Sequence, residues 1–205
     1  MRKLILSLFL LLSTALASAA ERPILVLGDS LSAAYRIPPE SGWVALLDAR
    51  LKAQHHAREI VNASISGETT SGGLARLPAL LSQHKPDLVL VELGANDALR
   101  GLPVEQIRAN LDRILTACRD AGAKIVLVGI EIPLNYGAPY RDALRAMYRD
   151  VARQFNVPLV PFLLDGVALD PALMQDDGLH PRAEGEPKVL DNVWPVLKPV
   201  LGTAN

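Results

Sequence analysis

Short apolar runs alternate with amphipathic stretches of helical period along almost the whole chain, and this alternation restricts the fold more than any other feature. Ile24, Leu25, Val26 and Leu27 lie between Pro23 and Gly28, and runs of the same kind recur at 59–63, 87–93, 124–129 and 157–162. Their length and their Gly, Pro or Asn punctuation suit strands buried on both faces. Between them the apolar positions recur every three or four residues: Trp43, Leu46, Leu47 and Leu51; Leu74, Leu77, Leu80 and Leu81; Ile107, Leu111, Ile114, Leu115 and Cys118, closed by Gly122; and Leu144, Met147, Tyr148, Val151 and Phe155. These spacings predict helices. A last helix is expected between Ala183 and Leu201, broken by Pro195. Strict alternation forces crossover connections, so the expected fold is α/β: a three-layer parallel five-stranded sheet with helices on both faces.

With 50% hydrophobic residues the chain can fill such a core, and disorder is excluded. No linker or repeat divides it, so residues 20–205 read as a single domain. Its formal net charge is −1, which provides no field for a nucleic-acid backbone; no nucleic acid is expected as partner. One cysteine, Cys118, excludes an internal disulfide and falls on the apolar face of its helix, where it reads as core. Residues 1–19 form a signal peptide in this reading: Arg2 and Lys3, an apolar run from Leu4 to Leu12, then Ala17, Ser18 and Ala19 before a cut after Ala19 or Ala20. The run is too interrupted for a membrane span, so no stable membrane insertion is expected after cleavage. The predicted location is periplasmic or secreted.

In a parallel α/β sheet, ligands bind outside the carboxyl ends of the strands. The polar motifs fall there. Gly28-Asp29-Ser30-Leu31-Ser32 leaves the first strand, Ser64-Ile65-Ser66-Gly67-Glu68 the second, and Gly94-Ala95-Asn96-Asp97 the third, while Asp176-Asp177-Gly178-Leu179-His180 follows the fifth. Ser30, His180 and Asp177 supply a nucleophile, a base and an orienting carboxylate. The Ser30 N–H, placed at an expected helix start, the Gly67 N–H and the Asn96 side-chain amide supply donors for an oxyanion. Taken singly, Ser30 also suits a helix cap, and Gly67 and Asn96 suit turns. His55, His56 and His84 sit in polar stretches and read as surface. The G-x-S-x-G elbow is absent, because Ser32 stands at its second glycine position.

These four ordered segments resemble the sequence blocks of the GDSL, or SGNH, hydrolase family, and the resemblance runs from Ile24 to about Leu201. Within the family the likeness is to bacterial periplasmic esterases that act as acyl-CoA thioesterase, lysophospholipase and arylesterase. The resemblance implies a flavodoxin-like sheet, no cofactor and no metal. It also implies catalytic roles for Ser30, Asp177 and His180 and oxyanion binding by Ser30, Gly67 and Asn96. The function expected is a serine esterase and thioesterase acting, as a monomer, on a small-molecule acyl ester or thioester. The segment leaving the fourth strand, with Leu134 and Tyr136, together with Leu102 and Leu179, is expected to wall an acyl pocket; packing in small satellite cores is the competing reading. Two other functions stay open at this point: a metal-dependent hydrolase in which Asp29, Asp97, Asp176, Asp177 and His180 collect a divalent ion, and a non-catalytic lipid- or carbohydrate-binding module.

Overall fold

The computed structural model describes residues 22–202. The proposed signal peptide, residues 1–19, and its cleavage site therefore lie outside the described residues. Five parallel strands, β1 (Ile24–Gly28), β2 (Ile60–Asn62), β3 (Leu88–Glu92), β4 (Lys124–Val128) and β5 (Leu159–Val160), form one sheet in the order β2-β1-β3-β4-β5. All five lie where the apolar runs predict them. β1 and β3 are buried at every position, which is why their sequences are continuously apolar rather than alternating. The edge strands β2 and β5 are short, which limits the unpaired backbone they present.

Six helices are described: α1 (Trp43–Ala53), α2 (Thr70–His84), α3 (Ala95–Leu99), α4 (Val104–Asp120), α5 (Ala138–Phe155) and α6 (Glu186–Leu201). α1 packs against α6, while α2, α4 and α5 pack side by side as the other layer. Each buries the stripe its period marks, for example Ile107, Leu111, Ile114, Leu115 and Cys118 on α4. Cys118 is fully buried, and burial pushes its thiol up to about 12, so it is inert core.

Two local expectations need correction. The last helix is not broken at Pro195: α6 runs unbroken through both Pro195 and Pro199. These prolines are four residues apart on the exposed side, so the carbonyls they orphan face water, while Val189, Leu190, Val193, Leu197 and Leu201 anchor the opposite side. The chain after Ser30 is also not a helix. It runs through successive turns, with Ala34 and Arg36 in the left-handed region and backbone bonds from Ala33 N–H to Asp29 O and from Tyr35 N–H to Ser30 O. The donors near Ser30 are therefore those of a turn rather than of a helix N-terminus.

Among the described residues no helix is long and apolar enough to cross a membrane.

Candidate active site

At the carboxyl edge of the sheet the four polar segments meet. Asp29 and Ser30 directly follow β1, and the loop after β2 is tied to that turn by Ile65 N–H donating to Gly28 O (3.1 Å) and by the Asn62 amide donating to Ser32 O (2.8 Å). Gly67 sits at the tip of this loop with φ +82°, a conformation that favours glycine, and Arg100 donates to its carbonyl (3.2 Å). Gly94, the residue before α3, has φ +121°; a side chain there would collide with the Tyr148 hydroxyl, itself donated to Leu93 O at 2.7 Å. Gly94 thus lets α3 begin immediately after β3 and carry Asn96 to the sheet edge.

The loop from Met174 to Pro181 closes on itself through a bridge between those two residues, with Gln175 N–H donating to His180 O (2.8 Å). The Gln175 amide also donates to Tyr35 O (2.8 Å), which docks the loop on the turn after β1. Inside the loop Asp177 Oδ1 accepts the N–H groups of Leu179 (2.9 Å) and His180 (3.0 Å). Its Oδ2 lies 2.8 Å from His180 Nδ1, and His180 Nε2 lies 2.8 Å from Ser30 Oγ. Partial burial pushes the Asp177 carboxyl up, but these hydrogen bonds and the imidazole outweigh it and hold Asp177 below the ordinary carboxylate range. An ionised Asp177 requires Nδ1–H to be the donor, which leaves Nε2 to accept the Ser30 proton. The Tyr35 ring packs tilted on the imidazole with centroids 4.4 Å apart. Sequence reasoning missed Tyr35, and only its proximity to Ser30 in the chain hinted at it.

Asn96 donates one amide hydrogen to Asp29 Oδ2 at 2.9 Å, and its second hydrogen is left for another acceptor. Asp29, fully buried, also accepts Leu31 N–H at 3.0 Å. Burial pushes its carboxyl up to about 6 against these two hydrogen bonds.

The five residues considered for a divalent ion do not converge. Asp97 is committed to Thr70 through N–H (2.8 Å) and Oγ (2.6 Å), Asp176 pairs with Arg182 (2.6 Å) on the surface, Asp29 holds Asn96, and Asp177 holds His180. Among the described residues no group of three or more His, Cys, Asp or Glu side chains is placed to hold a metal.

A cleft of about 340 Å³ opens in front of Ser30, lined by Tyr35, Gly67, Asn96, Leu99, Ile132, Leu164, Leu179 and His180 among others. A groove of about 310 Å³ shares Glu131, Ile132, Pro133, Leu164 and Leu179 with it and continues past Leu134, Phe162, Leu169 and Met174. Leu179 and Leu134 thus lie along this path. Leu102 and Tyr136 do not, and here the expected pocket wall is corrected: Tyr136 turns inward and donates its hydroxyl to Leu99 O (2.8 Å), while the Leu102 carbonyl is occupied by the Tyr140 hydroxyl (2.5 Å). Leu164, Phe162 and Leu169, which follow β5, take their place.

A serine, an imidazole and a carboxylate in hydrogen-bonded series at the carboxyl edge of a parallel sheet is the arrangement found in serine hydrolases. Comparison with known proteins agrees: the chain belongs to the GDSL-like lipase/acylhydrolase family, whose profile matches residues 26–186. It is 49% identical to esterase TesA of Pseudomonas aeruginosa over 98% of this chain and 100% of that protein. It is 47% identical to an arylesterase of Vibrio mimicus (92% of this chain, 94% of that one). It is 46% identical to thioesterase 1/protease 1/lysophospholipase L1 of Escherichia coli K12 (95% and 91%). The crystal structure of TesA superposes with a TM-score of 0.85 over 87% of this chain and 99% of that one.

Proposed function

We propose that the protein is a serine esterase and thioesterase that hydrolyses acyl esters and thioesters, including aryl esters, acyl-CoA and lysophospholipids. The single observation that carries this reading is the pair of 2.8 Å contacts joining Asp177, His180 and Ser30. Ser30 Oγ attacks the acyl carbonyl while His180 Nε2 takes its proton; the same nitrogen then protonates the departing alcohol or thiol, leaving the acyl group on Ser30. Water, deprotonated by His180, attacks the acyl-enzyme and restores the serine. Asp177 holds the imidazole in the required tautomer. The N–H groups of Ser30 and Gly67 and the free amide hydrogen of Asn96 stabilise the oxyanion. The groove past Leu179 and Leu134 receives the acyl chain. The names of the relatives, an esterase, an arylesterase and a thioesterase/lysophospholipase, support this substrate range.

Residues 1–19 act as a cleaved signal that sends a single domain, residues 20–205, to the periplasm or the medium, where it works as a monomer. N-terminal sequencing of the exported protein checks this: a start at Ala20 or Glu21 is expected, and a start at Met1 in the envelope fraction overturns it.

The function itself is tested with the mature protein on p-nitrophenyl esters, acyl-CoAs and lysophospholipids, with fluorophosphonate and chelator as separate treatments. Fluorophosphonate is expected to label Ser30 stoichiometrically and abolish activity. Loss to the chelator alone, or undiminished activity in Ser30→Ala, refutes the reading.

A further inference from the structure

Behind the oxyanion donors lies a buried pair of carboxyl groups that the mechanism above does not use. Asp29 and Glu92 are both fully buried, at the ends of the neighbouring strands β1 and β3, where Gly28 is in register with Glu92. Glu92 Oε2 accepts the Ser32 hydroxyl (2.7 Å) and the Asp29 N–H (3.2 Å). Asp29 in turn accepts Leu31 N–H with one oxygen and the Asn96 amide with the other. Glu92 Oε1 is buried and finds no donor.

An acceptor oxygen without a donor is expensive in a buried site, and so are two adjacent carboxylates without a cation. The titratable groups outside the pair that interact with it are Asp97 in the first turn of α3 and Tyr148 on α5; neither is a cation. One proton resolves both problems. Placed on Glu92, it turns the orphan Oε1 into a donor beside Asp29, whose own N–H already bonds the same carboxyl group at 3.2 Å. Glu92 is the better host because Leu31 and Asn96 both donate to the charged form of Asp29. Burial, then the Asp29 charge, push the Glu92 carboxyl well above the ordinary range, consistent with that placement.

We propose that Glu92 is held as a neutral carboxylic acid donating to the Asp29 carboxylate, and that this acid pair is a positioning device aiming the Asn96 amide at the oxyanion. Its kinetic consequences rest on the hydrolase reading above. Ionisation of Glu92 at alkaline pH removes the donor, places a second negative charge behind the developing oxyanion and loosens Asn96, so kcat falls. Glutamine at this position supplies an N–H in place of the acid O–H, still accepts from Ser32 and Asp29, and cannot ionise.

The test compares the mature protein with its Glu92→Gln and Glu92→Ala variants. At neutral pH the infrared carbonyl band of a protonated carboxylic acid is expected in the wild type and is diminished in Glu92→Gln by one group. This readout does not depend on activity, so it stands or falls separately from the esterase assignment, which Ser30→Ala decides. On p-nitrophenyl acetate, Glu92→Gln is expected to keep kcat within about threefold at neutral pH and to hold it at higher pH than wild type does. Glu92→Ala is expected to lower kcat by about tenfold or more with KM within about twofold. The proposal is overturned if Glu92→Gln removes no carboxylic-acid band, if its alkaline limb coincides with that of wild type, or if it loses as much kcat as Glu92→Ala. The glutamine comparison carries the test alone should the alanine variant not fold.

Discussion

Gly94 connects β3 to the short helix that bears Asn96, and its replacement makes a quantitative prediction. Its φ of +121° and ψ of −14° lie where an L-residue is strained, at roughly 1–3 kcal/mol. A Cβ there would also stand less than 3.0 Å from the Tyr148 hydroxyl oxygen. That hydroxyl cannot swing aside cheaply: Tyr148 is 2% exposed and its hydroxyl donates to Leu93 O, so displacing it forfeits a buried hydrogen bond worth about 1–3 kcal/mol. Gly94→Ala should therefore cost about 3–5 kcal/mol. Tyr148→Phe alone should cost about 1–2 kcal/mol, because the Leu93 carbonyl loses its donor. In the double variant the clashing oxygen is gone, and the next neighbours of the new methyl group, Ile107 Cγ2 and the ring carbon Cζ, are 3.4 Å away. The hydroxyl penalty is then counted once rather than twice, so the double variant should be more stable than the sum of the singles by about 1–3 kcal/mol. Urea unfolding of the four proteins, with m unchanged, measures this. Additivity within about 0.5 kcal/mol would refute the claim that glycine is needed at 94 because of the Tyr148 hydroxyl.

Ser30→Ala and His180→Ala are each expected to reduce kcat on order 10⁴-fold, and Asp177→Ala somewhat less, while Asp176→Ala, whose partner is surface Arg182, leaves kcat near wild type; equal losses at 176 and 177 in ester assays would contradict the loop geometry. Asn96→Ala should lower kcat by roughly 10²–10³-fold with little change in KM, and initial-rate kinetics showing a KM effect instead would place Asn96 in ground-state binding. Leu134→Ala should slow long-chain esters relative to acetyl esters, growing with chain length because each buried methylene contributes ~0.8 kcal/mol, whereas a uniform loss would remove Leu134 from the acyl path. Glu186, 2% exposed and accepting the Trp43 N–H at 2.8 Å, has its carboxyl raised to about 7 by burial, so the stabilisation it contributes is complete below its unfolded value and is lost as pH rises through about 7. Glu186→Gln should accordingly gain on wild type between pH 5 and pH 8, by several degrees of Tm, and an unchanged gap at the two pH values would refute the raised carboxyl.

Periodicity and punctuation alone determined the five strands, the four long helices of the core layers and the last helix, because period 2 or 3.6 and local turn chemistry are properties of neighbouring residues. The convergence of Ser30, Gly67, Asn96 and the 176–180 loop was legible for the same reason: in a parallel sheet every strand exit lies on one edge, so locating the exits locates the site. Only tertiary structure decided where individual side chains point. Asp176 and Asp177 are adjacent and chemically alike, and the closed loop separates them by turning one to Arg182 and the other to His180. Leu102 and Tyr136 follow the right segments but line neither the cleft nor the groove, while Leu164 lines both and Leu169 lines the groove from beyond β5. Continuity of α6 through Pro195 depends on which side of the helix meets water, and that is set by packing against α1 and the sheet. The pairing of Asp29 with Glu92 lies furthest from the sequence. A carboxylate in the otherwise apolar run 88–93 is a visible irregularity, but its partner is 63 residues away, and the raising of its carboxyl follows from a burial that only the assembled sheet creates.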